Sequence, residues 1–224
     1  MTQSWHDLLF AHWSVDANLL RSKLPPDLPL DLFNGQAWIG VIPFHMTNVA
    51  PRGFRWCASA FSELNVRTYV TRDGRPGTYF FSLDATNALA VAGARSVFHL
   101  PYNMATMAVD VDDDSHVTYR SRRNDGRSAE FAASYQPLGS VQWAERGTLD
   151  HFLTERYCLY AVDRRRRLRR LEIHHPQWPL QPAHAHISLN TMAEANGIRL
   201  PDAPPLLHFA KRLDVVAWPL KVIE

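Results

Sequence analysis

Residues Ala60 to Leu83 run A-F-S-E-L-N-V-R-T-Y-V-T-R-D-G-R-P-G-T-Y-F-F-S-L. Two stretches rich in β-branched and aromatic residues flank Arg72-Asp73-Gly74-Arg75-Pro76-Gly77, whose turn chemistry folds the second stretch back on the first as a hairpin. Side chains alternate along a strand, so Glu63, Asn65, Arg67 and Tyr69 share one side of the first arm. Leu64, Val66, Thr68 and Val70 share the other. Taken alone, this is an ordinary antiparallel strand with its polar side in water. The returning arm argues against that, because Tyr79-Phe80-Phe81-Ser82-Leu83 is apolar on both faces, as in a sheet covered on both sides. A polar face inside a closed sheet lines a cavity.

The rest of the chain extends the same pattern. Ala37 to Val49 reads as a strand dense enough for burial on both faces, ended by the turn Pro51-Arg52-Gly53. Met104 to Val111, Val117 to Arg122 and Ser128 to Tyr135, joined by short polar turns, predict an antiparallel meander. Tyr157 to Val162 and Leu168 to His175 form a hairpin around a basic turn, and Leu206 to Val222 is a final strand or strand pair. Helices are few. Asp16 caps a short one stopped by Pro25-Pro26, Thr148 is a candidate cap for Gly147 to Arg156, and Ser188 to Asn196 is expected to be closed by Gly197. About ten strands against three or four helices predict one α+β, mainly antiparallel β domain over residues 1–224, with no internal repeat and no linker.

Between hairpin and meander lies Asn87 to Ala105, N-A-L-A-V-A-G-A-R-S-V-F-H-L-P-Y-N-M-A. Asn87 is a good N-cap and Pro101 must end a helix. Apolar and small residues surround the axis, including Ala92, Gly93, Ser96 and Val97 on one face and Ala94 on another, which predicts a buried helix from Asn87 to Leu100. Arg95 interrupts that pattern. A guanidinium taken out of water needs a carboxylate or a ligand.

Gly93-Ala94-Arg95, Phe98, Leu100-Pro101 and Met104-Ala105 resemble the G-G-R-x-x-Y-x-W-P-K-K-L-A signature of acetoacetate decarboxylases, with the same arginine-to-proline spacing. Tyr102 and Asn103 stand where that family has two adjacent lysines. Over most of its length the chain is more similar to the uncharacterised YqjF-like family. The segments that carry this are W-x-x-L-L-F-A-H-W at the start, L-P-P-D-L-P-L-D-L-F-N-G-Q-A-W-I-G-V-I-P-F, E-L-N-V-R-T-Y-V and G-x-Y-F-F-S-L-D-A. The resemblance implies a closed or nearly closed sheet around a central cavity, with a few helices. It also implies a pocket position for Glu63, by analogy with a glutamate on a strand before the signature helix.

Composition bounds the partners. With 46% apolar residues in 224 the chain can bury a core, and a net charge of +2 gives no field for nucleic acid or an anionic membrane. Arg164 to Arg170 follows Asp163 between two strand-like segments and lacks stacking aromatics, so a solvated turn explains it. No apolar run approaches a membrane span, and the first 15 residues are broken by polar side chains. Cys57 and Cys158 lack metal-ligand spacing and suit free thiols in a reducing cytoplasm. His174-His175 and His184-Ala185-His186 lie among prolines in a segment that reads as irregular and offers no defined third ligand, so no metal and no cofactor is expected. His12 and His45 are candidates for titrating pocket residues.

Two function classes follow. In the first, a polar-lined cavity binds a small anionic or carbonyl compound and acts on it as a lyase- or hydrolase-like enzyme. Glu63 and Tyr102 are the candidate catalytic groups, with Asn65, Arg67, Arg95, Asn103 and His12 as ligand contacts. A lysine imine is excluded at the signature, because neither Tyr102 nor Asn103 can form one. In the second, the same fold is a binding or interaction module without turnover. The sequence is compatible with a homo-oligomer and does not fix its size.

Overall fold

The computed structural model describes residues 1–53, 56, 58–93, 95, 98–126 and 129–223; the expectations for Cys57, Ala94, Ser96, Val97 and Ser128 lie outside them. Twelve strands among the described residues share one sheet. In chain order the first five are β1 (Thr2–Val15), β2 (Ala37–Ala50), β3 (Ser59–Arg72), β4 (Arg75–Ala85) and β5 (Tyr102–Val111). Then come β6 (Val117–Arg123), β7 (Glu130–Pro137), β8 (Cys158–Val162) and β9 (Leu168–His174). The last are β10 (Gln181–Asn190), β11 (Leu206–Ala217) and β12 (Lys221–Val222). Helices α1 (Ala17–Arg21), α2 (Ala88–Gly93) and α3 (Leu149–Thr154) are each little more than one turn.

The expected hairpin is β3 and β4, paired from Glu63 opposite Ala85 to Arg72 opposite Arg75, with one register shift between Val66 (opposite Ser82) and Arg67 (opposite Phe80). The expected meander is β5, β6 and β7, paired antiparallel throughout. Sheet order is β12-β9-β8-β4-β3-β2-β1-β11-β10-β7-β6-β5, and two further pairings, β9 with β11 and β4 with β5, bend the sheet back on itself. Two rings result, sharing β4, β3, β2, β1 and β11. Among the described residues only β4 with β5 and β4 with β8 run parallel.

The two faces of β3 look into different rings, and this positions the site. Leu64 and Val66 join Leu9, Val41, Tyr119, Phe131 and Phe209 in a packed core. Glu63, Asn65 and Arg67 face the other ring, which holds a cavity. The parallel seam between β4 and β5 is held from behind by a buried, bidentate ion pair. Arg123 donates from Nε and Nη2 to Asp84 at 2.9 and 2.8 Å.

Local signals held where chemistry was explicit. Asp16 accepts from Asn18 N, Asn87 from Ala90 N and Thr148 from His151 N, each at the start of its helix. Asp163 accepts from the backbone of Arg165 and Arg167 and from the side chains of Arg167 and Arg169, so the basic run is a tight turn built on one carboxylate.

Three expectations are corrected. The helix expected from Asn87 to Leu100 is neither one α-helix nor buried: α2 ends at Gly93, Arg95 and Phe98 are π-helical, and Leu89 is 85% exposed, with Val91 the buried residue of α2. Its small residues lie at the rim of the ring, not against a second backbone. The helix expected over Ser188 to Asn196 begins as strand, because β10 continues to Asn190, and only Glu194–Asn196 makes a 3₁₀ turn. Gly197 closes that turn at φ 68°. The histidine segment expected to be irregular is so only over residues 175–179; His174 ends β9, and His184 and His186 lie on β10. Ala183, Ala185 and Ile187 turn towards the core while His184 and His186 stand outside, an alternation of period two. Pro182 is tolerated near the start of the strand, where pairing switches from β11 to β7.

β1 was not legible as a strand at all. Residues 8–13 are buried on both faces, so there is no alternation, and Asp7 (φ 52°) interrupts the register between His6 and Ala11.

Candidate functional site

The cavity has a volume of about 440 Å³ and takes its wall from both ends of the chain. β3 supplies Phe61, Glu63, Asn65 and Arg67, the end of α3 and the residues after it supply Thr154 and Arg156, and the segment after β9 supplies His175 and Trp178. Most of the remaining wall is apolar, with Trp5, Leu8, Ile42, Phe44, Phe80 and Leu100 prominent. The expected enclosure by polar groups is therefore corrected twice. The wall is largely hydrocarbon with a polar stripe along β3, and it opens at α2, where the exposed Leu89 and Gly93 form part of the lining.

Glu63 is 4% exposed and accepts a 2.6 Å hydrogen bond on Oε2 from the phenol of Tyr102. Burial dominates its titration and raises the carboxyl to about 7, opposed by the hydrogen bonds of Tyr102 and Asn65 and assisted by the charge of Asp84. Burial, then the neighbouring Glu63 charge, pushes the Tyr102 phenol well above its ordinary value. A carboxyl that exchanges its proton near neutrality, held by a phenol that keeps its own, is an acid–base pair. Residue type and position arise from two strands, since Tyr102 opens β5 beside Leu83 while Glu63 lies opposite Ala85.

Arg67 is 8% exposed. Its Nη2 donates to the carbonyl of Leu153 at 3.2 Å, and its buried Nε has no partner. Among the described residues no carboxylate forms an ion pair with it. Its guanidinium carbon lies 5.6 Å from the ring centre of Phe10 and 5.7 Å from that of Tyr69. Tyr69 is two residues farther along β3, so the side chain leans away from Glu63. The nearby Arg156 is satisfied instead, donating to Asp31 Oδ2 and to the Phe152 carbonyl, both at 2.6 Å.

Asn65 lies between the two groups with a buried, unpartnered Oδ1. His12 is not in the wall. It is fully buried behind Arg67, with Nε2 2.6 Å from the Tyr69 hydroxyl, and burial followed by the charges of Arg67 and His208 drives its pKa well below the usual range. A neutral ring there supports Tyr69 and does not meet a ligand in the cavity.

Arg95 and Asn103 are not brought to the cavity either. Arg95 is exposed and donates from Nε to the Tyr102 carbonyl at 2.5 Å. Asn103 donates to Asp84 and to the Pro101 carbonyl. Both line a shallow groove on the outer side of the β4–β5 seam, together with His99 and Arg164. Tyr102 and Asn103 are adjacent on a strand, so their side chains must point to opposite faces. His45 bonds Ser62 at 3.1 Å outside the cavity wall.

Arg156 and His175 were missed. Their flanking sequence has no period that points a polar side chain inward, and the partner that pairs with Arg156, Asp31, is 125 residues away.

The family DUF2071, described as an uncharacterized conserved protein, matches residues 2–214. The uncharacterized protein YqjF of Bacillus subtilis (strain 168) is 50% identical over 223 residues, covering 99% of this chain and 91% of the relative. Acetoacetate decarboxylase from Legionella pneumophila is similar in structure, with a TM-score of 0.67 and 14% identity over 100% of this chain and 87% of that one. The enduracididine biosynthesis enzyme MppR complexed with pyruvate has a TM-score of 0.69 and 12% identity, covering 100% of this chain and 90% of its own. At such identities these two likenesses show the fold.

Proposed function

The chain belongs to the DUF2071 family of uncharacterized conserved proteins, and on that premise we propose that its cavity binds a small organic acid or carbonyl compound and acts on it by acid–base chemistry. One observation carries this reading: a buried guanidinium, Arg67, lines the cavity with its Nε unpartnered and with no carboxylate paired to it among the described residues. An unpaired buried charge is costly, and an anionic ligand supplies the missing partner bidentately. Pyruvate in the complex of the similarly folded MppR is an acid of the required kind.

Glu63 is the proton carrier and Tyr102 its hydrogen-bonded donor. In the carboxylate form Glu63 removes a proton next to a carbonyl; in the acid form it returns one. Tyr102 stabilises the carboxylate before the first event and after the second, and Asn65 supplies a further polar contact. None of the three lysines, Lys23, Lys211 and Lys221, lines the cavity. Lys211 is instead exposed and paired with Asp7 at 2.8 Å. No lysine is therefore placed to form an imine with the substrate, and the amine of Met1, which also lines the wall, is engaged with the Ala217 carbonyl at 2.8 Å; the proposed chemistry proceeds without a Schiff base.

A binding module without turnover is the second reading, favoured by the fact that Glu63 already has a partner inside the protein. A panel of oxo acids, with the carbonyl at increasing distance from the acid group, and of neutral carbonyl compounds, screened by thermal shift and then by product detection, separates the two. A ligand at 100 times its dissociation constant adds roughly 2.7 kcal/mol of stability. Stabilisation by acids that is lost in Arg67→Gln supports the anion site, and product formation lost in Glu63→Gln supports the enzyme. Equal stabilisation by neutral and acidic compounds refutes it.

A further inference from the structure

The cavity is larger and more apolar than a three- or four-carbon acid requires. Its 440 Å³ fall within the range that accommodates a whole drug-sized ligand. An acid of pyruvate's size would leave the walls of Trp5, Phe44, Phe80 and Leu100 facing empty space, and side chains lining a void lose their contacts on that side.

The polar groups are also far apart. Four residues of strand separate Glu63 from Arg67, about 13 Å at the rise of an extended chain. Arg67 leans farther away, towards Tyr69 and the Leu153 carbonyl. Its charge acts on His12, His175 and Arg156, whereas Glu63 is perturbed by Tyr102, Asn65 and Asp84. The opening lies at the Glu63 end, because α2 follows directly from Ala85, the residue opposite Glu63. A ligand anchored on Arg67 thus passes Asn65 and Glu63 before it reaches Leu89.

We propose that the ligand is an elongated amphipathic monocarboxylate, its acid group on Arg67 and its hydrocarbon body laid along the apolar wall to the mouth at Leu89. This rests on the reading of Arg67 as the anion contact and adds the length and polarity of what it holds. A carbonyl or hydroxyl within that body, several carbons from the acid group, is what the Glu63–Tyr102 pair faces.

The test is titration calorimetry of straight-chain saturated monocarboxylates from acetate to tetradecanoate, each below its micelle-forming concentration, against the intact protein. The methyl esters serve as controls, and Leu89→Glu, at a solvent-exposed position, adds a charge to the mouth. Affinity is expected to rise about fourfold per methylene until the cavity is filled. The esters should lose at least tenfold, and Leu89→Glu should weaken the longest acids while leaving the short ones unchanged. Equal affinity for acetate and decanoate overturns the proposed length and leaves the anion site standing. Esters binding as tightly as acids, or no acid binding at all, overturns both.

Discussion

Tyr102 and Glu63 meet across β4, the phenol at the start of β5 donating to a carboxylate on β3 at 2.6 Å. That bond joins the seam that closes the second ring to the polar stripe of the cavity. It stabilises the ionised carboxylate while burial opposes ionisation, and burial wins. Removing the phenol in Tyr102→Phe is expected to raise the Glu63 pKa by roughly one to two units, since a hydrogen bond to a charged group contributes about 1.5–3 kcal/mol. Carboxyl carbon shifts followed by NMR across pH 5 to 10 read it directly; an unchanged midpoint disproves the coupling.

Stability should fall as pH rises because of the same residue. The folded carboxyl titrates at about 7, above the ordinary value of 4.5, so between those values the native state binds more protons than the unfolded chain. The contribution is largest below pH 4.5 and is lost as pH approaches 7, by roughly 3 kcal/mol. Glu63→Gln removes it. Urea unfolding at pH 5 and pH 8 should show the variant gaining on the wild type at the higher pH, and parallel curves would contradict the assignment.

Arg123→Ala is expected to cost roughly 3–5 kcal/mol, because Asp84 is left as an uncompensated buried charge behind the β4–β5 seam. Replacing both partners by apolar residues of similar volume should recover most of the loss. Chemical denaturation of the single and double variants checks this. A loss below 1 kcal/mol in the single variant would mean that the pair does not hold the seam.

Gly77 has no room for a methyl group. An added Cβ would lie 2.7 Å from Cys158 Sγ, 2.8 Å from the Cys158 carbonyl and 2.8 Å from Tyr160 Cε2. Gly77→Ala should therefore destabilise by roughly 1–3 kcal/mol by forcing β4 and β8 apart. A melting temperature equal to that of the wild type would contradict the parallel β4–β8 pairing at this point.

Much of this was legible in the sequence, and the rest was hidden for definite reasons. The Arg72–Gly77 turn, the alternation from Glu63 to Val70 and the caps Asp16, Asn87 and Thr148 are local signals, and local signals survive folding. Arg95 misled because small residues permit both close packing and exposure, and composition does not separate them. β1 was hidden because a central strand buried on both faces has no period to read. The separation of Arg67 from Glu63 comes from the lean of one side chain towards Tyr69, which no spacing records. Nor could spacing show that the two faces of β3 serve different rings, since that follows from where β9 meets β11 and β5 meets β4.

The most direct test of the anion site is a crystal structure of the protein with 10-oxotetradecanoate, which carries an acid group, a carbonyl several carbons from it and an apolar tail. The expected result is a carboxylate within about 3 Å of the Arg67 guanidinium, with the tail running past Asn65 and Glu63 towards Leu89. A carboxylate bound instead in the outer groove beside Arg95 and Asn103, with the cavity empty, would contradict it.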